Sequence, residues 1–205
     1  MRFKSSLTAL IAALACLVAA PSALAVGVGQ QRVVVPAQRT ATATATPGPL
    51  IAPPAVCPGE TNIGAPAPAQ EEAMRCMTDF ARLHAGLGEL AEDPQLDASA
   101  AEKTEDVLSC DSFSHFACGR EFTYWMRELG YIGESCWHAG ENLAWGAGEY
   151  GSARSIFEAW MRSPTHRRNI LGEYDSVGIS LAVGDLEGHA AARVWTAHFG
   201  SRCEA

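Results

Sequence analysis

Glu141 stands in Gly140-Glu141-Asn142-Leu143-Ala144-Trp145-Gly146, a carboxylate set against a short apolar run with a glycine at each end. A carboxylate carried into apolar surroundings is costly unless it is paired or bound to a cation. Two other stretches offer partners: Ser112-Phe113-Ser114-His115-Phe116 upstream and Ser163-Pro164-Thr165-His166-Arg167-Arg168-Asn169 downstream. If His115 and His166 converge on Glu141, two imidazoles and a carboxylate suit Zn²⁺ with a fourth position open to water. They also suit Mn²⁺ or Ni²⁺, and such a centre can activate water for hydrolysis. A plainer alternative stands beside each: Glu141 tying backbone amides at a strand end, His115 and His166 as hydrogen-bonded structural residues. The local metal motif His-Glu-x-x-His is absent.

Other reactive residue types read as structural. Ser114 and Ser163 lie outside any Gly-x-Ser-x-Gly elbow, and Ser163, followed by Pro164, reads as a helix cap. His84 reads as packing on the first helix. His138, His189 and His198 read as surface or satisfied core groups in or beside strands. Arg167-Arg168 either grips an anion near the site or is a solvated basic pair. Trp125, Trp137, Trp145, Trp160 and Trp195 either form a stacking surface for sugars or lipids or, as aromatics in a small domain do, fill the core.

The elements that must position these residues occupy part of the chain. Its 205 residues are 48% hydrophobic, which suits one globular domain plus non-globular ends. The basic start Arg2 and Lys4, the apolar run Leu7 to Ala20 and the small-x-small ending Ser22-Ala23-Leu24-Ala25 read as a secretory signal, 1–25, cleaved after Ala25. The formal net charge is −8 and becomes more negative without this leader. That excludes nucleic acid as the expected partner and disfavours adhesion to anionic lipid. After cleavage no transmembrane segment is expected, and the reading is of a monomer. Residues 26–68 read as a Thr/Pro-rich disordered linker, since Thr40-Ala41-Thr42-Ala43-Thr44-Ala45-Thr46-Pro47 cannot pack a core.

Past the leader stand Cys57, Cys76, Cys110, Cys118, Cys136 and Cys203, an even set that reads as disulfides in an exported chain. Proximity pairs Cys110 with Cys118 around His115 and Cys57 with Cys76. Elimination then leaves Cys136 with Cys203. With all six oxidised, no thiol nucleophile remains.

The domain is read as 69–205. Met74, Met77, Phe80 and His84 line one face of a first helix over Glu71 to Leu87. Asp93-Pro94 caps a second helix, with Leu96, Ala100, Thr104 and Val107-Leu108 inward. Glu121 to Leu129 and Ser152 to Met161 read as a third and a fourth. Trp137 to Trp145 reads as a strand broken at Gly140. Ser176 to Val183 and Ala190 to Phe199 read as an antiparallel hairpin, the second strand buried on both faces. Helices around an antiparallel sheet give an α+β fold.

The order of these motifs resembles the CAP superfamily (cysteine-rich secretory, antigen 5 and pathogenesis-related 1 proteins) in its bacterial SCP-like extracellular form. The resemblance covers about Cys76 to Gly200. It is carried by Arg82-Leu83-His84-Ala85-Gly86-Leu87-Gly88-Glu89-Leu90, Phe113-Ser114-His115, Gly140-Glu141-Asn142-Leu143-Ala144, Trp160-x-x-Ser163-Pro164-x-His166-Arg167-x-Asn169-Ile170-Leu171, Val177-Gly178-Ile179 and Val194-Trp195-Thr196 before Phe199-Gly200. It implies a three-layer αβα sandwich with a central antiparallel sheet, here disulfide-stapled. It also implies a cleft of two histidines and two acids that in some members binds a divalent cation. His115, Glu141 and His166 match three of those positions, with His115 and His166 as the metal ligands. Many eukaryotic members place the second acid three residues after the tryptophan of the fourth helix, where this chain has Ser163. The nearest acid is Glu158, two residues before Trp160 and about 200° away around the helix. It joins the cleft only if Trp160 does not take the inward face. The expected role is a secreted binding module, extracellular or at the cell envelope, for a lipid, sterol-like molecule, glycan or protein. A metal-dependent hydrolase using the same cleft, with Glu158 or Glu141 as base, and an interaction protein with a vestigial cleft are the alternatives.

Overall fold

The computed structural model describes residues 49–134 and 136–202. The leader, residues 26–48 and Cys203 lie outside the described residues. In chain order the elements are α1 (Ala67–His84), β1 (Ala91–Glu92), α2 (Pro94–Ser109), α3 (Tyr124–Glu128), β2 (Trp137–Gly146), α4 (Ala153–Arg162), α5 (Pro164–Ile170), β3 (Ser176–Leu186) and β4 (His189–Arg202). The sheet order is β1-β3-β4-β2. β2, β3 and β4 are antiparallel, and β1 adds a two-residue parallel pairing at the β3 edge.

The two-residue period of the strands sorts their side chains into two layers. Val177, Ile179 and Leu181 of β3, with Trp195, Ala197 and Phe199 of β4, pack against Met74 and Met77 of α1, Phe157 and Trp160 of α4 and Ile170 of α5. The opposite face of β4 meets α2, where Val194 packs with Val107. The α2 face is partly polar, with Ser180, Thr196 and His198 all buried in it.

Local chemistry explains the helix starts. The Asp93 side chain accepts from the N–H groups of Gln95 and Leu96, with Pro94 in the first turn, and that fixes α2. Ser152 caps α4 through the Ser155 N–H. Ser163 holds the N-cap position of α5 as expected, but its side chain makes no capping hydrogen bond. β2 runs unbroken through Gly140, where a Cβ would lie 2.5 Å from the Tyr174 hydroxyl.

Two placements differ from the sequence reading. His84 is exposed, stacked on Phe80 with ring centroids 3.8 Å apart. The buried side chain of that turn is Arg82, which donates to the carbonyls of Gly88 (2.7 Å), Ile170 (3.0 Å), Gly172 (2.8 Å) and Tyr174 (3.3 Å). Three of these carbonyls, of Ile170, Gly172 and Tyr174, lie at the end of α5 and in the chain leading to β3, and a buried acceptor needs a donor. Arg82 thereby fixes the end of α5. Residues 49–66, read from sequence as linker, pack on the domain. Ala52 and Cys57 are buried, Arg154 donates to the Ala52 carbonyl, and Cys57 is bonded to Cys76.

Beyond its pairing with β1, the edge of β3 is covered by side chains. On β3, Asp97 accepts from the Ile179 N–H (3.0 Å) and Glu71 from the Leu181 N–H (2.7 Å). Covered edges do not template pairing with another chain. A Glu71→Ala, Asp97→Ala double variant should therefore self-associate, at a cost of about 1–3 kcal/mol for each unpaired amide. The Gln and Asn replacements, which keep an acceptor, should stay dispersed. Sedimentation velocity separates the outcomes.

Candidate functional site

The strand register lines up a row across the sheet: Glu141 of β2 opposite His198 of β4, and His198 opposite Gly178 of β3. This row faces α2. His198 Nε2 donates to Glu141 Oε2 at 2.9 Å, and its Nδ1 lies 2.6 Å from the Ser99 hydroxyl of α2. On the other side His115 Nδ1 donates to Glu141 Oε1 at 2.5 Å. Glu141 and His198 are buried, whereas the His115 side chain is half exposed at 55%. One buried carboxylate thus joins a core imidazole to a surface imidazole.

The loop bearing His115 is held at several points. The Cys110–Cys118 disulfide closes it. Asp111 (φ 47°) and Cys118 (φ 56°) adopt the left-handed region, which surrounding constraints must hold in non-glycine residues. Phe113 N–H donates to Glu187 Oε1 at 3.0 Å. The buried Lys103 of α2 donates from Nζ to the His115 carbonyl at 2.8 Å.

His166 comes from the opposite layer, in the first turn of α5. Asn142 Nδ2 donates to the His166 carbonyl (3.0 Å). Asn169 Nδ2 donates to the Glu141 carbonyl (3.0 Å) and to Asn142 Oδ1 (2.8 Å). These amides stitch α5 to the outer edge of β2, beside Glu141.

The charges respond to burial and to one another. Burial pushes the Glu141 carboxyl up, but hydrogen bonds from His115 and His198, then the charges of His198 and Lys103, outweigh it and leave the group below its ordinary value. Burial lowers Lys103, opposed by Glu141 and Asp106. Burial also lowers His166, and the charge of His115 lowers it further.

Glu158 corrects the sequence reading. Trp160 takes the inward face of α4 and donates to the Leu143 carbonyl at 3.3 Å. Glu158 therefore points elsewhere, pairs with Arg154 and Arg162, and lines a separate depression of about 360 Å³ with Met161 and Arg167. Arg167 and Arg168 line another, of about 450 Å³, with Pro164 and Leu171. Sequence reasoning set His198 aside and passed over Ser99 and Lys103. The signal for the α2 pair was present: Leu96, Ser99, Lys103 and Val107 recur at helical steps, which places Ser99 and Lys103 on the inner stripe. The proximity pairings Cys57–Cys76 and Cys110–Cys118 are formed. Cys136 is disulfide-bonded, and the expected partner Cys203 lies outside the described residues.

A family model of the cysteine-rich secretory protein (CAP) family matches residues 77–199. The chain belongs to this family. Among solved structures it is similar to an extracellular protein containing an SCP domain from Bacillus anthracis str. Ames, at 21% identity and TM-score 0.53, over 65% of this chain and 40% of that one. It is also similar to a cysteine-rich secretory protein from Staphylococcus aureus subsp. aureus Mu50, at 17% identity and TM-score 0.50, over 66% and 39%. At these identities the likeness shows the fold. The chain spans about two fifths of the length of these proteins. No curated protein matches it.

As metal ligands, the CAP domain's His115 and His166 offer nitrogen donors from opposite layers. A carboxylate on Nδ1 of His115 is the arrangement that orients metal-binding imidazoles. Among the described residues no group of three or more His, Cys, Asp or Glu side chains is arranged to hold an ion. Two imidazole nitrogens fall short of the three-ligand pattern of a catalytic zinc centre. No water-activating step follows from them.

Proposed function

We propose that this CAP domain is a secreted binding module acting at or outside the cell envelope, with His115 and His166 as its recognition point. Disulfides persist in oxidising compartments. Among the described residues no helix is long and apolar enough to cross a membrane. The similar proteins from Bacillus anthracis and Staphylococcus aureus are described as extracellular and secretory. The observation that carries the reading is a surface imidazole, His115, fixed by a buried carboxylate of the strand to which the His166 turn of α5 is hydrogen-bonded. Fixed, half-exposed polar groups give orientation to a ligand whose apolar parts supply affinity. The ligand classes are lipid, sterol-like molecule, glycan or protein, with Zn²⁺ the favoured ion between the imidazoles.

Titration calorimetry with ZnCl₂, joined to mass spectrometry of molecules carried by the purified protein, tests this. The wild type should bind zinc, and His115→Ala with His166→Ala should abolish that binding and release the carried molecule while leaving the circular dichroism unchanged. Zinc uptake and cargo identical in the double variant would remove the site from the reading.

A further inference from the structure

We infer that His198 and Lys103 are positioning residues of the CAP site, acting from the core to present His115 in a single tautomer with the Nε2 lone pair outward. This rests on the reading of His115 and His166 as the recognition point.

Glu141 turns one carboxylate oxygen to each ring, Oε1 to His115 and Oε2 to His198, and a carboxylate oxygen accepts, so each ring nitrogen that faces it carries hydrogen. For His115 that nitrogen is Nδ1. In a neutral ring the one free lone pair is then on Nε2, away from the carboxylate. For His198 that nitrogen is Nε2. Ser99 has one hydroxyl proton and two acceptors in reach, the Leu96 carbonyl at 3.0 Å and His198 Nδ1 at 2.6 Å. If the proton goes to Leu96, His198 carries hydrogen on both nitrogens and donates to Ser99. If it goes to Nδ1, His198 is neutral. In either case Nε2 bears hydrogen toward Glu141, so His198 holds Oε2 and leaves Oε1 turned to His115.

Lys103 acts on the same residue by another route. Its ammonium holds the His115 carbonyl at 2.8 Å. Backbone and ring of His115 are thus tied to two buried groups of opposite charge.

Nitrogen-15 NMR of the imidazole rings in the full chain, at one fixed pH, reads the tautomer directly, and zinc titration reads its consequence. In the wild type His115 should carry hydrogen on Nδ1. His198→Phe should leave a mixture of tautomers at His115 and weaken zinc by about tenfold or more. His198→Gln, whose amide can donate to Glu141, should restore both. Lys103→Met should split or broaden the His115 signals and weaken zinc, with Lys103→Arg closer to wild type. Hydrogen on Nε2 of wild-type His115 would overturn the inference. So would His198→Phe and Lys103→Met spectra and affinities equal to the wild type. If His198→Phe does not fold, the wild-type spectrum and Lys103→Met still decide. A wild type with the expected tautomer and no zinc uptake would remove the cation from the proposed function while this inference stands.

Discussion

Glu141→Ala is expected to lower the unfolding free energy by about 3–5 kcal/mol, because it leaves two imidazole N–H groups without their acceptor and the buried Lys103 without the neighbouring opposite charge. The milder Glu141→Gln keeps the shape and removes the charge, and its effect should depend on pH in a defined direction. The folded carboxyl lies below its ordinary 4.5, so the ionised form favours the fold. Its contribution is fully present above that value and is lost as pH falls through the lower, folded one. The gap in denaturant midpoint between wild type and Glu141→Gln should be constant above about 4.5 and close below it. His166 works in a separate window. Its folded value lies below 6.5, so the unfolded chain takes up the proton first and stability declines as pH falls below 6.5. His166→Gln should remove that earlier decline alone. A wild-type advantage over Glu141→Gln that persists undiminished at pH well below the carboxylate range would contradict the charge assignment.

The sequence made some of this legible and hid the rest for identifiable reasons. Asp93-Pro94 announces α2 because a cap acts within one turn. The alternation of Val177, Ile179 and Leu181 announces β3 because period and burial are local. Cys110 and Cys118 are close in sequence, and the linkage followed. Glu141 was conspicuous as a carboxylate in apolar company, and His115 proved to be its partner. His198 was dismissed because its partner is set by the pairing of β2 with β4, a register that only the assembled sheet fixes. Glu158 was kept as a candidate because the inward face of α4 depends on which aromatic takes the core, and Trp160 did. Arg82 entered the sequence reading only as part of the run that ends the first helix. Its burial follows from carbonyls about ninety residues later in the chain, to which no local pattern points.

Gly178→Ala should disturb the same site from the far end of its row. A Cβ at Gly178 would stand 2.1 Å from the Leu96 carbonyl carbon and 2.2 Å from the Asp97 nitrogen. Both are backbone atoms of α2, so no side chain can rotate aside and the helix itself must lift. Side-chain overpacking costs about 1–3 kcal/mol, occasionally more, and a clash of backbone with backbone belongs at or above the top of that range. The displacement has a functional reading, because Ser99 and Lys103 follow Leu96 on the same stripe of α2. Lifting the helix draws Ser99 from His198 and Lys103 from the His115 carbonyl. Gly184→Ala is the matched control. It lies in the same strand, but its Cβ would meet only Leu108 side-chain carbons at 3.2 Å, which can shift by a few tenths of an ångström. Chemical denaturation should show a loss of about 3 kcal/mol or more for Gly178→Ala and under about 1 kcal/mol for Gly184→Ala, with the His115 imidazole signals altered only in the first. Equal losses in the two variants, or an unaltered His115 in Gly178→Ala, would mean that α2 does not bear on the site through this contact.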